Sequence, residues 1–415
     1  MKNIILLFLL STSIFASSLL ELIKQAQTNE LVDVYKYKLN SSIKTYEATK
    51  SAYLPKIDIG ASAQSISPVD TMGAGEIYNA YAMASVVLLD GFKRKNILDE
   101  KNKLKDASTH DLSQIKKDIS LKVATLYFNT QIIQADIESL DQSKKQLQEQ
   151  LKQQQKFYEA KLTTEDNIAR IEAELANMEY KIEVKKYQLE EYTTLLYTLT
   201  NTDIKSLSKE TIKEPKDINT NELDSLKSMR AQAQSVGFKA EQLDAANYPT
   251  VILSDKYSYT DYKDDSLENL SMLGFSIDRV NSQNTLMLSV SMNLFDFGST
   301  SKQREVALSE QNALLSQIAY TKKELDSNLR LSLRAIERSK KLLYASKLSQ
   351  DASNRTYEIV HKKYKARVVD YVKYLDALSN KTEADAQYNR ALWDLQISYA
   401  KYYHSAGLDI KEYIK

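Results

Sequence analysis

Residues 112–147 read LSQIKKDISLKVATLYFNTQIIQADIESLDQSKKQL and decide the fold of this chain. An apolar residue recurs there every seven positions, at Leu112, Ile119, Leu126, Ile133, Leu140 and Leu147. A second apolar line runs beside it, at Ile115, Val123, Ile137 and Leu151. A sustained 3.5-residue period predicts left-handed coiled-coil packing. At a rise of 1.5 Å per residue, a helix from Gly91 to about Ala160 would be roughly 100 Å long.

The segment that follows predicts a second helix, which returns along the first. Its apolar positions alternate in steps of three and four, at Ile168, Ile171, Leu175, Met178, Ile182, Leu189, Tyr192, Leu196 and Leu199. Lys185 interrupts this line, and Lys322 interrupts the heptad line of the long helix in the second half; each lysine either lines a tunnel or extends from a helix seam. The turn between the helices ends at Thr164, a predicted N-cap, and Asp166 suits the positive helix end.

The second half of the chain repeats the first. Its heptad positions are Leu308, Leu315, Leu329, Ile336 and Leu343, with Lys322 in the missing step. Asp296 lies 206 residues after Asp90, and Arg367 lies 206 residues after Lys161. The first pair follows predicted strands and the second pair opens predicted turns. One offset for both features indicates an internal duplication.

Four segments have the alternating pattern of strands. They are predicted at 56–66, 79–90, 249–262 and 284–297, with an acidic loop from Asp261 to Glu268 between the last two. Apolar Leu286, Leu288 and Val290 alternate with small polar residues, which places the two sets on opposite faces. Aromatic residues near the strand ends, Tyr257, Tyr259, Phe295 and Phe297, are typical of lipid-facing barrel strands. A soluble hairpin is the alternative interpretation.

The composition restricts the function classes. The chain has only eight glycines and four prolines in 415 residues, which predicts long uninterrupted elements. It has no cysteine and three well-separated histidines, so thiolate metal sites, disulfides and a cysteine nucleophile are excluded. Without the predicted signal peptide, basic and acidic residues balance, which gives no electrostatic footprint for nucleic acid. No cofactor or metal is expected.

The N-terminus has the pattern of a secretory signal. Lys2 precedes an apolar run from Ile4 to Leu10, and small residues follow at Ala16 and Ser17. We expect export and cleavage near residues 16–18. No cysteine follows this site, so lipid attachment there is not expected.

These observations predict a mostly helical chain with a small β part. The predicted organisation is a signal peptide at 1–17, a first repeat at 18–200 with its hairpin at 91–200, a connector at 201–222, a second repeat at 223–404 with its hairpin at 298–404, and a tail at 405–415. Four strands cannot close in lipid, because an open sheet leaves unpaired backbone groups in hydrocarbon. If the strands enter a membrane, several copies must share one barrel, and three copies would supply twelve strands.

Several stretches resemble the TolC-type outer-membrane efflux and secretion channels. They are Glu47–Ile57, Leu88–Arg94, Leu294–Ser299 and the turn segments Lys161–Ile171 and Arg367–Ala377. The resemblance covers nearly the whole mature chain. It implies a homotrimer with a twelve-stranded transmembrane β-barrel continued by a periplasmic α-helical barrel. It also implies a closed helical tip that opens when a periplasmic adaptor and an inner-membrane pump dock.

The resemblance also suggests which residues form the tip. Family contacts that hold the tip shut correspond here to Tyr364, Val369, Lys373 and Asp376. Val369 stands where the best-known member has arginine, and Lys373 stands where it has aspartate. Lys161 and Arg367 stand where relatives commonly have glycine. The remaining tip candidates are Thr164, Asp166 and Asp370, although Asp370 is equally well explained as an N-cap and Asp376 as part of a solvated face.

The predicted function is that of an outer-membrane channel subunit for efflux or type I secretion. It would conduct substrates delivered by the pump and adaptor out of the cell. The alternatives are a periplasmic adaptor and a coiled-coil scaffold of the envelope. An enzyme is the least favoured class, because the sequence has no phosphate loop, metal spacing or nucleophile beside a histidine.

Overall fold

A computed structural model describes residues 16–69, 73–216, 220–265 and 279–415. The apolar run of the predicted signal peptide and the predicted loop residue Glu268 lie outside these ranges. The elements of the first half are α1 (Leu19–Ala26), α2 (Glu30–Ser51), β1 (Lys56–Ser65), β2 (Ala74–Leu89), α3 (Lys93–Glu159) and α4 (Glu165–Thr200). Those of the second half are α5 (Asp224–Asp244), β3 (Thr250–Asp265), β4 (Ser282–Ser291), α6 (Ser299–Lys365) and α7 (Tyr371–Ser405). The prediction of a mostly helical chain with a small antiparallel sheet is confirmed.

The duplication extends to the ends of the long helices. Both α3 and α6 have 67 residues, and α6 begins and ends 206 positions after α3. The return helix α7 also begins 206 positions after α4. Among the described residues no helix is long and apolar enough to cross a membrane.

The four strands form one antiparallel sheet in the order β1-β2-β3-β4. The inner strands β2 and β3 each have 16 residues, and the outer strands β1 and β4 each have 10. Among the residues that the structure describes, one edge of β1 and one edge of β4 therefore have no pairing strand. Equal lengths at the two edges allow them to pair with each other in a larger sheet.

Three predicted strand limits are wrong, the end of β4, the end of β3 and the start of β2. β4 ends at Ser291, so Phe295 and Phe297 lie beyond the strand. Its pairing partner β3 begins at Thr250, opposite Ser291, and the residue before Thr250 is a proline without a backbone N–H. In addition, residues 261–265 are not a loop, because they extend β3 and pair with an earlier start of β2 at Ala74.

The pairing register separates an apolar face of the sheet from a polar one. Across the sheet Ile57 pairs with Ala84, Ala84 with Asp255, and Asp255 with Leu286. The apolar face carries Ile57, Ile59, Ala61, Ala80, Ala82, Leu253, Leu286, Leu288 and Val290, and Asp255 interrupts it. The polar face carries Ser62, Gln64, Asn79, Lys256, Ser258, Thr260, Thr285 and Ser289. Ile59 is 84% exposed and Leu286 is 71% exposed, so the apolar face is uncovered in the single chain.

Each strand pair passes into its long helix through the same kind of junction. Gly91 and Phe92 have φ of 62° and 65°, and Phe297 and Gly298 have φ of 55° and 80°. The preceding aspartate then accepts a backbone N–H bond from the first helical turn, Arg94 N to Asp90 at 3.1 Å and Thr300 N to Asp296 at 2.8 Å. The bonds from Thr300 lower the pKa of Asp296. The repeated Leu-Asp-Gly-Phe and Phe-Asp-Phe-Gly motifs are therefore helix starts.

The chain forms two compact units. One comprises 37–110 and 226–320 and contains the sheet. The other comprises residues up to 36, 111–225 and 321–415, and contains both helical turns. Its core includes Phe128 and Trp393, whose rings stack 5.8 Å apart, so Trp393 is a core residue. In the same unit Lys185 donates to the buried Asp136 at 2.7 Å, which identifies this lysine as a seam residue of the helices.

Candidate functional site at the helix turns

The two helix–helix turns have one backbone geometry. Lys161 and Arg367 adopt left-handed φ values of 57° and 60°. In the first turn Leu162 N donates to Phe157 O at 2.8 Å, and Lys161 N donates to Tyr158 O at 2.9 Å. The equivalent bonds in the second turn have the same lengths, 2.8 Å and 2.9 Å. This is a Schellman motif, in which glycine is the usual left-handed residue because it has no Cβ. A basic side chain occupies that position in both turns.

The two return helices begin with different caps. Asp370 is the N-cap of α7 and accepts a bond from Lys373 N at 2.9 Å, which confirms its predicted capping role. Thr164 is the N-cap residue of α4, but its side chain caps no backbone N–H. Thr164 Oγ1 instead accepts a bond from the Asn167 amide at 3.1 Å. The second turn therefore has the more strongly held helix start.

The turns differ in charge. The second turn, from residue 362 to 373, carries the charged residues Lys362, Lys363, Lys365, Arg367, Asp370 and Lys373, a formal sum of +4. The equivalent window from 156 to 167 carries Lys156, Glu159, Lys161, Glu165 and Asp166, a formal sum of −1. At the exposed apex stand Leu162 in the first turn and Val368 in the second, 60% and 69% exposed. Each apex thus presents an aliphatic side chain beside a basic one, in opposite electrostatic surroundings.

Above the second turn, aromatic side chains of α6 and α7 form a cluster that we call the tyrosine cluster. It consists of Tyr357, His361 and Tyr364 on α6, and of Tyr371 and Tyr374 on α7. The rings of Tyr364 and Tyr374 stack 5.0 Å apart, and Tyr374 is fully buried. Burial raises the pKa of Tyr364, Tyr371 and Tyr374, which keeps the phenols neutral.

Glutamines of α3 attach the first hairpin to this cluster. Gln154 Nε2 donates to the Tyr364 hydroxyl at 2.5 Å, and the Tyr357 hydroxyl donates to Gln146 Oε1 at 2.8 Å. The Arg367 guanidinium lies 5.0 Å from the centre of the Phe157 ring. Leu147, Ile171, Met178 and Leu378 complete the core beneath these contacts. The two hairpins are therefore connected at Tyr364 and Arg367.

Only some of the residues predicted to form the tip make contacts between the two hairpins. Tyr364 and Arg367 contact the other hairpin, whereas Asp166, Lys373 and Asp376 are exposed and Val369 is half-buried. Sequence reasoning missed Gln146, Gln154, Tyr357, His361, Tyr371 and Tyr374. A signal for them exists, because Gln154 occupies the heptad position after Leu147, and Tyr357 and Tyr364 continue the line of Leu343. Near the turns the seam changes from aliphatic to hydrogen-bonding side chains.

The polar face of the sheet is a second region of interest. Lys256 Nζ lies 4.5 Å from the centre of the Tyr81 ring. Tyr81 in turn covers Gly60, where a Cβ would lie 2.7 Å from the ring. Asn79 donates to Thr260 at 2.8 Å on the same face. Within the described ranges, no group of three or more His, Cys, Asp or Glu residues is placed to hold a metal ion.

The fold is shared with solved outer-membrane channels. The Campylobacter jejuni CmeC outer membrane channel has a TM-score of 0.82 at 16% identity, with 94% of this chain and 85% of that chain covered. The outer membrane protein VceC of Vibrio cholerae has a TM-score of 0.81 at 13% identity, covering 94% and 96% of the two chains. The Neisseria gonorrhoeae MtrE outer membrane channel has a TM-score of 0.78 at 17% identity, covering 94% and 89%. No curated protein matches this chain in sequence.

Duplicated strand pairs and long helical hairpins are the fold that this chain shares with these outer-membrane channels. Residues 23–202 and 221–408 match the family described as outer membrane efflux protein, and the chain belongs to that family. Members of the family are transport channels of the outer membrane rather than enzymes. The predicted family and the non-enzymatic class are thereby confirmed.

Proposed function

We propose that three copies of this chain close one twelve-stranded barrel in the outer membrane and conduct pump-driven substrates out of the cell. The observation that carries the proposal is the sheet with two equal, unpaired edges and an uncovered apolar face. In hydrocarbon such edges are intolerable, since each unsatisfied backbone group costs several kcal/mol. Pairing of β1 with β4 of the next copy satisfies both edges and turns the apolar face to lipid.

In this assembly the polar face lines the lumen. Serines, threonines, asparagine and glutamine dominate this face, which suits a water-filled pore. Lys256 would face the lumen in each copy. The helical hairpins would form the periplasmic α-helical barrel, because their heptad seams are those of packed coiled coils.

The helix turns are proposed to be the periplasmic tip and its gate. Gln154–Tyr364 and Arg367–Phe157 would hold the hairpins together in the closed state. The charge difference between the turns would let a periplasmic adaptor distinguish them, since like-charge contacts disfavour a wrong register. An inner-membrane pump would act through that adaptor, in efflux or in type I secretion. Residues 1–17 would be a signal peptide removed on export, and no lipid would be attached at its cleavage site.

Planar-bilayer recording tests the proposal. Purified protein should insert and give discrete conductance steps, more frequently when the tip contacts are removed by Tyr364→Phe and Arg367→Ala together. A protein that gives no conductance with or without these substitutions would refute the channel. Recovery of the mature protein in the soluble periplasm without detergent would instead favour a periplasmic scaffold.

A further inference from the structure

A histidine is packed inside the tyrosine cluster. The His361 ring stacks on Tyr357 with centroids 5.5 Å apart and an interplanar angle of 17°. The Tyr374 ring lies 5.6 Å from the His361 ring and 6.1 Å from the Tyr357 ring. The three rings therefore form a triangle, in which the imidazole contacts one phenol ring from its own helix and one from α7.

The polar atoms of this cluster are incompletely satisfied. Among the described residues, four buried atoms here have no hydrogen-bond partner: His361 Nδ1, Gln150 Oε1, Tyr371 Oη and Tyr374 Oη. Gln150 lies on α3 midway between Gln146 and Gln154, which bond Tyr357 and Tyr364, so the spacing places it level with His361. A buried polar group without a partner costs about 1–3 kcal/mol. Polar atoms of α3, α6 and α7 are therefore buried together in this cluster with few partners.

The surroundings of His361 favour its neutral form. On α6, Lys365 repels an imidazolium, and on α7, Lys381 lies 5.9 Å from the Tyr357 ring. Helix α3 contributes the glutamine amides, and α4 contributes Glu174, which acts on Tyr371. Burial, and then Lys365, lower the pKa of His361.

We propose that His361 is a proton-binding site and that its protonation loosens the tip. An imidazolium must donate from both ring nitrogens, and Nδ1 has no acceptor in this packing. Proton uptake therefore favours an arrangement in which Nδ1 reaches water or the unpaired Gln150 oxygen. This inference rests on the proposed function, because loosening of the cluster affects transport only if the turns are the gate.

The direction of the pH effect follows from linkage. Packing lowers the pKa of His361, so packing is fully stable only while the ring is neutral, at pH values above the ordinary histidine pKa of about 6.5. As the pH falls below that value, proton binding increasingly favours the loosened state. Between the ordinary pKa and the lowered pKa, the ratio of packed to loosened clusters falls by up to about tenfold per pH unit in each protomer. Acid should open the tip.

The experiment compares wild type with His361→Phe, which keeps a ring in contact with Tyr357 and Tyr374 but cannot titrate. Open probability is recorded in planar bilayers from about pH 7.5 to about pH 5, the range in which histidine titrates. We expect an increase of tenfold or more on acidification in wild type and none in the variant. His404→Gln is the matched control, because His404 bonds Asp118 outside the cluster and its loss should leave the acid response intact. A pH-independent wild type, or an unchanged response in His361→Phe, would overturn the proposal.

A second readout separates this proposal from the channel itself. The chain has no cysteine, so Val368→Cys gives one spin label per copy at the apex of the second turn. Electron-spin distance measurements should show the labels moving apart on acidification, and His361→Phe or His361→Gln should abolish the change. This result is expected whether or not current is recorded. Current without a pH-dependent distance would refute the proton site and leave the channel standing.

Discussion

Removal of one hydroxyl, by Tyr364→Phe, should increase the opening of the channel. The Gln154 amide donates to this hydroxyl at 2.5 Å, and the phenol ring stacks on Tyr374. Phenylalanine keeps the ring contact and removes only the hydrogen bond. A net bond contributes about 0.5–1.5 kcal/mol, so three copies give about 1.5–4.5 kcal/mol. At about 1.4 kcal/mol per factor of ten, the closed-to-open ratio should fall roughly 10-fold to 2000-fold.

The internal duplication provides a matched control for this substitution. Tyr158 lies 206 positions before Tyr364, at the same place in the first turn, and it is 45% exposed. Tyr158→Phe should therefore leave open probability unchanged in single-channel recordings at constant pH and salt. Equal open probabilities in the two variants, or a lower value in Tyr364→Phe, would refute the role assigned to the Gln154 bond.

Three further substitutions test other parts of the account. Lys185→Met removes the 2.7 Å partner of the buried Asp136 carboxylate and leaves Arg390 3.8 Å from it, so it should cost up to about 3–5 kcal/mol in urea unfolding monitored by the fluorescence of Trp393, the sole tryptophan; a cost below about 1 kcal/mol would contradict a buried pair. Lys161→Gly relieves a left-handed φ of 57° and should stabilise the same unit by about 1 kcal/mol, whereas a loss of stability would show that the turn depends on the lysine. Gly91→Ala places a Cβ 2.7 Å from Tyr248 and should lower the temperature at which the folded band disappears on electrophoresis; an unchanged temperature would contradict the close packing of this junction.

Two of these substitutions have a control in the chain. Lys186→Met removes an exposed ion pair with Glu183 and should leave the urea midpoint nearly unchanged. Gly298→Ala has the strain of a positive φ but meets no atom within 4 Å. It should therefore be milder than Gly91→Ala.

Much of this fold could be predicted from periodicity. The heptads and the common offset of 206 residues located both hairpins, because a coiled-coil seam repeats with a period that sequence shows directly. Strand ends were predicted less well, since pairing determines them. β4 ends where β3 has no further residue opposite it, and the aspartates 261, 264 and 265 lie in a strand because β2 extends to meet them.

The tip was only partly predictable. Asp370 was expected as an N-cap because capping depends on local sequence. The bond between Gln154 and Tyr364 joins residues 210 positions apart, and heptad spacing alone did not identify the partners. His361 belongs to no motif, and its character comes from the rings packed around it.

Pairing of β1 with β4 between copies is the central claim, and disulfide scanning tests it most directly. Within one chain β2 and β3 separate these strands by about 14 Å, three spacings of 4.7–4.9 Å, whereas a disulfide needs Cα atoms within about 7 Å. Ile59→Cys would be combined with single cysteines at successive positions of β4 in the otherwise cysteine-free protein, and oxidised membranes would be run on denaturing gels. We predict covalent dimers and trimers, and nothing larger, at one register of positions. Monomers at every position, or a ladder that continues beyond three copies, would contradict the shared barrel.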